Sequence, residues 1–128
     1  MIVVDASVIA EYLITGPRFS AAASVLMRGG AQAPHLLDAE VAHALRRAAA
    51  RGALSQAEAE ESLGMFADML IRRHPHRRLL PRVWELRRNF SAYDALYVSL
   101  AEALGAPLVT VDRRLKNASG HQAIIELI

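Results

Sequence analysis

Four acidic residues occupy positions where an ordinary surface charge is difficult to explain: Asp5, Glu40, Asp94 and Asp112. Asp5 and Asp112 each end a short apolar run, so we expect them at the C-terminal edge of a parallel sheet, where open α/β sheets bind ligands. Glu40 and Asp94 lie beside the apolar faces of helical segments, where an unpaired charge is costly. Carboxylates that meet at one edge repel each other unless a cation lies between them, and oxygen ligands suit Mg²⁺ or Mn²⁺. These positions therefore predict a metal site that acts on phosphate groups.

Each acid also has a local explanation. Asp5 and Asp112 precede helical segments and could be N-caps, for which Asp is a preferred residue. Asp94 could be only the acidic member of a capping box opened by Ser91, and Glu40 could be a first-turn residue favoured by the helix dipole. Taken together, the four positions favour the metal site, because four unpaired acids beside the core would destabilise the fold.

The elements expected to position these acids alternate between strands and helices. Strands are predicted at 2–4, 108–111 and 123–128, and helices at about 7–13, 19–27, 36–51, 56–73, 81–89, 92–104 and 113–118. Residues 76–79 fit either a short strand or an extended link. This alternation predicts an α/β fold in which helices cover a central parallel sheet, in a single domain spanning residues 1–128.

Apolar stripes at helical spacing predict which helix faces are buried. One stripe comprises Leu37, Val41, Leu45 and Ala48, and a second comprises Leu63, Phe66, Met69 and Leu70. We expect the second stripe to lie in the core, together with Leu13, Leu26 and Met27. Some of these side chains could instead form an apolar groove for a partner helix.

The composition limits the possible classes of protein. No apolar run approaches the roughly 20 residues of a membrane span, and no signal peptide is evident, so we expect no membrane association and a cytoplasmic location. The chain has no cysteine, which excludes disulfides and thiolate-bound metals. Every basic residue except Lys116 is arginine, which binds phosphates bidentately, although a GC-rich genome would give the same usage.

A basic track follows Glu40 along the same predicted helix. His43 and Arg47 lie one and two turns beyond it, with Arg51 a further turn away, and Arg113 follows Asp112. This track could hold an RNA backbone, or it could be an ordinary solvated helix face. A second basic cluster is more typical of a solvated surface; it comprises Arg72, Arg73, Arg77, Arg78 and Arg82.

The segments that contain the acids resemble a known family in order and spacing. They are Asp5-Ala-Ser-Val, Glu40-Val-Ala-His-Ala-Leu, Ser91-Ala-Tyr-Asp-Ala-Leu-Tyr and Leu108-Val-Thr-Val-Asp-Arg-Arg-Leu. Together they cover nearly the whole chain and resemble the PIN-domain ribonucleases, most closely the VapC toxins of toxin–antitoxin pairs.

The resemblance implies a three-layer sandwich in which the four acids gather in one cleft and bind Mg²⁺ or Mn²⁺. It also implies cleavage of RNA by metal-assisted hydrolysis, neutralisation by a cognate antitoxin, and a homodimer. Ser7 and Thr110 match hydroxyl positions that support the acids. His43 stands where members of the family commonly have Asn, so its supporting role departs from the family pattern.

Two other functions stay open at this point. A phosphatase or phosphotransferase could use Asp5 as its nucleophile. Such enzymes usually add a second acid two residues later, where this chain has Ser7, and a late catalytic lysine, for which Lys116 is the only candidate. The other possibility is a catalytically silent PIN-like domain that only binds RNA or protein, and the presence of all four acids argues against it.

Overall fold

A five-stranded parallel sheet forms the centre of the structure, a computed structural model that describes residues 1–128. The strands are β1 (Ile2–Val4), β2 (Ala31–Pro34), β3 (Ile71–His74), β4 (Leu108–Thr110) and β5 (Ile125–Leu127). Their order across the sheet is β3-β2-β1-β4-β5, and every neighbouring pair is parallel. The C-terminal ends of all five strands therefore lie along the same edge, with β1 and β4 adjacent near its middle.

Helices flank this sheet. They are α1 (Ala6–Leu13), α2 (Phe19–Met27), α3 (Leu36–Ala50), α4 (Gln56–Asp68), α5 (Leu80–Glu85), α6 (Ala92–Leu104) and α7 (Arg113–Asn117), with a short 3-10 helix at Arg77–Leu79. Helix α3 packs against α1 and α4, whereas α6 packs against α5 and the central strands. The predicted α/β fold with a helix-flanked parallel sheet is therefore confirmed.

The core is built from the strands and from one face of each long helix. Strands β1 and β4 are apolar or nearly so and fully buried, as expected for a parallel sheet covered on both faces. The first predicted stripe, which runs from Leu37 to Ala48 on α3, is buried throughout. Gly105 ends α6 in the left-handed conformation (φ 60°), so the chain turns sharply into β4.

Strands β2 and β3 differ from the prediction. The helix expected at 56–73 ends at Asp68, Met69 takes an extended conformation, and Ile71–His74 becomes an edge strand. All four residues of β3 pair with β2, and this pairing outweighs the helical tendency of the Arg-rich segment. Strand β2 has no β-branched residue, and it forms because β1 and β3 flank it on both sides.

Four smaller expectations also differ from the structure. Residues 77–79 form a 3-10 helix rather than a strand or an extended link, and the helix expected to reach residue 89 ends at Glu85. The second apolar stripe is only partly in the core: Phe66 is buried, but Leu63 is 44% exposed and Leu70 is 97% exposed. Leu70 is exposed because α4 ends before it. Met27, the last residue of α2, is also exposed.

The N-terminus of α3, the helix that carries Glu40, is tied to the segment after β3. The ring nitrogen Nε2 of His76 accepts a hydrogen bond from the backbone N–H of Leu36 at 2.9 Å, so this ring is neutral at that nitrogen. Burial lowers the pKa of His76, which favours the neutral ring. Arg73 adds an ion pair with Asp38 at 3.0 Å. These contacts fix the first turn of α3 against the sheet.

None of the helices combines the length and the apolar character that crossing a membrane requires.

Candidate functional site

Asp5 lies where β1 ends and α1 begins, and it is 7% exposed. Its Oδ1 accepts hydrogen bonds from the backbone N–H groups of Ser7 (3.0 Å) and Val8 (3.4 Å) and from the Ser7 hydroxyl. Its Oδ2 accepts one from the hydroxyl of Thr110, on the neighbouring strand. Burial raises the pKa of Asp5 to about 6 even though these hydrogen bonds favour the charged form. Asp5 is thus an N-cap, and it is also a buried acid linked to β4.

The two hydroxyls join the segments that follow β1 and β4. The Ser7 hydroxyl oxygen accepts a hydrogen bond from the backbone N–H of Val111 at 3.1 Å, and the Thr110 hydroxyl oxygen accepts one from the backbone N–H of Asp112 at 2.9 Å. Ser7 and Thr110 therefore lie where the resemblance expects them, beside Asp5. They fix the distance between Asp5 and the segment that carries Asp112.

Asp112 caps α7 and pairs with an arginine. Its Oδ1 accepts the backbone N–H of Arg114 at 2.9 Å, and its Oδ2 lies 2.6 Å from the Arg114 guanidinium. Hydrogen bonding to this guanidinium lowers the pKa of Asp112. The local explanation of Asp112 as a cap is thus correct, and the same carboxylate is close enough to Asp94 to raise the pKa of that acid.

Glu40 and Asp94 approach the same edge from α3 and α6. Burial raises the pKa of Glu40, and the Asp94 carboxylate raises it further. Burial also raises the pKa of Asp94, with the charge on Asp112 adding to this effect. The Tyr97 hydroxyl donates a hydrogen bond to Glu40 Oε1 at 2.6 Å. Burial and the surrounding carboxylates raise the pKa of Tyr97, so its hydroxyl stays protonated and donates.

The acids thus lie near the C-terminal edge of the sheet, where Asp94 is close to Glu40 on one side and to Asp112 on the other, but they do not form a closed metal cage. No group of three His, Asp or Glu side chains lies close enough to share one ion. Arg114 also occupies the Asp112 carboxylate. The donor set consists only of carboxylate oxygens, which suits Mg²⁺ or Mn²⁺. A divalent cation bound by Asp112 would compete with Arg114 for that carboxylate, and it would lower the raised pKa values of the neighbouring acids.

A cavity of about 570 Å³ opens beside this edge, between α1, α3 and the start of α6. Its walls include Glu40, His43 and Arg47, so the basic track predicted on α3 does begin next to the acids. An adjoining cavity of about 300 Å³ is lined by Arg47 and Arg51. Arg113 is exposed at the start of α7 and lines neither cavity.

The second basic cluster contains arginines with structural roles. Arg82 is bound by Glu102 at 2.7 Å and by Glu85 at 2.9 Å, and its guanidinium also reaches the carbonyl of Gly120. Arg73 pairs with Asp38. Neither is a freely solvated side chain.

Two residues of the site were not predicted. Tyr97 lies three residues after Asp94, a spacing that places both on one helix face, and this was the available signal. Arg114 follows Asp112 by two residues at a helix N-terminus, where a short-range ion pair is easily formed.

Comparison with known proteins shows the family of this chain. The model of the PIN domain family matches residues 2–120. Ribonuclease VapC1 of Mycobacterium tuberculosis is 42% identical over 98% of this chain and 96% of that protein, and Ribonuclease VapC9 of the same species is 40% identical over 100% and 98%. VapBC2 from Rickettsia felis, solved bound to a DNA fragment from its promoter, shares the fold with a TM-score of 0.69 at 18% identity, covering 99% of this chain and 98% of that chain. The resemblance seen in the acidic motifs is thereby confirmed, and the chain belongs to the PIN-domain family and, within it, to the VapC ribonucleases.

Proposed function

We propose that this chain is a Mg²⁺- or Mn²⁺-dependent endoribonuclease that acts as the toxin of a toxin–antitoxin pair. The observation that carries the proposal is the meeting of Asp5, Glu40, Asp94 and Asp112 at one edge of the sheet, in a chain whose relatives are named ribonucleases. Buried acids with raised pKa values are electrostatically unfavourable in the metal-free protein, and a divalent cation relieves this cost.

Each residue of the site has a distinct part in this proposal. When bound, a divalent cation would lower the pKa of a coordinated water and neutralise charge on the phosphate. The four acids would supply its oxygen ligands once their carboxylates draw closer together than they are in the metal-free structure. Ser7 and Thr110 fix the orientation of Asp5 through its two carboxylate oxygens, and Tyr97 does the same for Glu40. His43 lines the adjacent cavity, where it can contact RNA or an ordered water.

The contacts of Asp5 do not favour its use as a phosphatase nucleophile. Both of its carboxylate oxygens accept hydrogen bonds, and its side chain is almost completely buried. A nucleophilic carboxylate needs an accessible oxygen in line with the phosphorus atom. A ligand role needs one free lone pair, and Oδ2 of Asp5 accepts only the hydrogen bond from Thr110.

Cognate antitoxin and a second copy of the chain are the proposed protein partners. The fold shared with VapBC2 supports an antitoxin, and the family resemblance supports a homodimer. Exposed apolar side chains near α4, Leu63, Met65 and Leu70, offer a surface that a partner helix could cover. Light scattering of the purified chain, alone and with the protein encoded beside it, tests both partners.

Cleavage of RNA by the purified protein tests the activity. We expect cleavage with Mg²⁺ or Mn²⁺, none with EDTA, and a loss of at least about 100-fold in Glu40→Gln and Asp94→Asn, because each removes a charged ligand of the ion. Asp38→Asn is the matched control, since Asp38 lies on the same helix as Glu40 but faces Arg73. Wild-type rates in Glu40→Gln and Asp94→Asn would show that these acids do not form the site, and a metal-independent rate would exclude the proposed chemistry.

Expression in bacteria tests the toxin role. Growth arrest is expected with the unaltered chain and should be absent with Asp5→Asn, while both proteins accumulate to similar levels. Equal arrest by both would mean that toxicity does not come from cleavage at this edge.

A further inference from the structure

Tyr93 is a large side chain beside the acids that the fold itself does not use. It is 62% exposed, and its ring makes none of the aromatic contacts of the structure, which join Tyr12 with Phe19, His35 with His76, and Phe90 with His121. Tyr97, one turn further along α6, is buried and bonded to Glu40. Packing therefore explains Tyr97 but not Tyr93.

Tyr93 lies in a pocket that is lined by aromatic, apolar and charged side chains. Tyr93 borders the 570 Å³ cavity that also contains Glu40 and Arg47. The apolar floor between α1 and α3 is made mostly of small side chains, which leave room for a planar group; it comprises Ala6, Ala10, Ala39 and Ala44, with Leu36 at one end. The volume lies in the range of pockets that hold a small organic ligand, such as one nucleotide.

Two arginines line the groove on the side away from Glu40, in a cavity that Glu11 also lines. Arg47 borders both cavities and Arg51 borders the second, and no ion pair engages either guanidinium. Ser7, which bonds Asp5, also borders both cavities, so the acids lie alongside this groove. An aromatic ring, a small apolar floor and unpaired arginines are complementary to the base, sugar and phosphate of one nucleotide.

We propose that Tyr93 stacks on an unpaired nucleobase next to the phosphate held at the acids, while Arg47 and Arg51 bind the phosphates on the side away from Glu40. This rests on the proposed ribonuclease function and assigns to Tyr93 the contact with one base of the bound strand. A base inside an A-form duplex is stacked on its neighbours and cannot offer its face to Tyr93. Stacking accepts every base, so this contact selects an unpaired nucleotide rather than a particular sequence.

Substitution of Tyr93 tests the stacking. Tyr93→Phe keeps the ring and should keep kcat/KM on a single-stranded oligonucleotide, whereas Tyr93→Leu should lower it by about 5- to 150-fold, the range for loss of one stacked base. Because Tyr93 is exposed, both variants are expected to unfold at the wild-type temperature, which circular dichroism checks.

Oligonucleotides with one abasic nucleotide, placed in turn at each position around the cleaved bond, locate the partner of Tyr93. At one position the abasic nucleotide should lower kcat/KM of the wild type by the same factor as Tyr93→Leu does on the intact strand. At that position kcat/KM of Tyr93→Leu should not fall any further. The affinity of a fluorescent oligonucleotide, measured in EDTA, should show the same difference between the Phe and Leu variants without any cleavage.

The outcomes separate this proposal from the ribonuclease function. If the wild type cleaves and Tyr93→Leu equals Tyr93→Phe in both kcat/KM and affinity, stacking by Tyr93 is refuted and the nuclease assignment stands. Stacking by Tyr93 is also refuted if Tyr93→Leu lowers kcat/KM by the same factor at every abasic position. If the wild type does not cleave, the affinities in EDTA still decide whether Tyr93 binds a base.

Discussion

The charge on Asp5 destabilises the metal-free fold, and Asp5→Asn should reveal by how much. Asparagine is an equally good N-cap, and its carbonyl oxygen can accept the same hydrogen bonds from Ser7 and Val8. The amide removes the negative charge that burial makes unfavourable. Changes in hydrogen bonding to Thr110 are the same at every pH, so the pH dependence isolates the charge.

The magnitude follows from the two pKa values of Asp5. The carboxyl ionises with a pKa of 3.8 in an unperturbed chain and about 6 in the fold. Each pKa unit corresponds to about 1.4 kcal/mol, so the free energy of unfolding should fall by about 3 kcal/mol as Asp5 ionises. The folded state binds the proton more tightly, so this loss develops as pH rises from about 4 to about 6 and is complete above that. Asp5→Asn does not undergo this loss.

Urea unfolding in EDTA measures this effect. The unfolding free energy of Asp5→Asn minus that of the wild type should be about 2 kcal/mol more positive at pH 7.5 than at pH 4, because part of the loss has already occurred at pH 4. Asp112→Asn is the matched control with the opposite sign: Arg114 lowers the pKa of Asp112, so its charge stabilises the fold at neutral pH and this stabilisation is lost as pH falls. A difference for Asp5→Asn that does not change with pH would refute the role of burial. Addition of Mg²⁺ should stabilise the wild type and not the variant.

Three further perturbations have defined outcomes. His76→Ala removes the hydrogen-bond acceptor at the start of α3 and should lower the unfolding free energy by about 1 kcal/mol at pH 8. Because the acceptor is the neutral ring, this difference should shrink below about pH 6.5. Urea titrations at the two pH values measure it. Glu102→Gln should cost about 1–3 kcal/mol in the same assay, because Glu102 holds both Arg82 and the backbone of residue 122, whereas the more exposed Glu85→Gln should cost less than about 1 kcal/mol. Tyr97→Phe removes a hydrogen bond that lowers the pKa of Glu40, so the acidic limb of the pH–rate profile for metal-dependent RNA cleavage should move to higher pH; an unchanged limb would mean that Glu40 is not a ligand whose ionisation limits the rate.

The strands differ in how well the composition of their own segment predicts them. Strands β1 and β4 are short apolar runs rich in valine, and their composition is enough to predict them. Strand β2 is Ala-Gln-Ala-Pro, and β3 is Ile-Arg-Arg-His, neither of which favours a strand by composition. They become strands because β1 offers an open edge to β2, which then offers one to β3. Pairing between distant segments is not visible in the local pattern of either one.

The positions of the acids follow from local sequence patterns, whereas their contacts involve residues that are distant in sequence. Apolar runs and helical spacing are local patterns, and they are enough to predict Asp5 and Asp112 at strand ends. The Tyr97 hydroxyl reaches Glu40 across 57 positions of sequence, and Arg82 reaches Glu102 across 20. Such partners depend on how α3, α5 and α6 pack together. The local sequence does not distinguish these pairs from the many other possible pairs of arginines and carboxylates.

The order of the sheet also has a consequence for how the protein is made. Strand β4 lies beside β1 in the fold, but it is synthesised about a hundred residues after β1. Strands β2 and β3 are made before it. Until it emerges from the ribosome, a growing chain has Asp5, Glu40 and Asp94 but neither Thr110 to hold Asp5 nor Asp112 to complete the edge. The acidic edge therefore cannot form from the first three acids alone, because Asp5 gains its Thr110 contact only when the β4 segment has emerged and paired with β1.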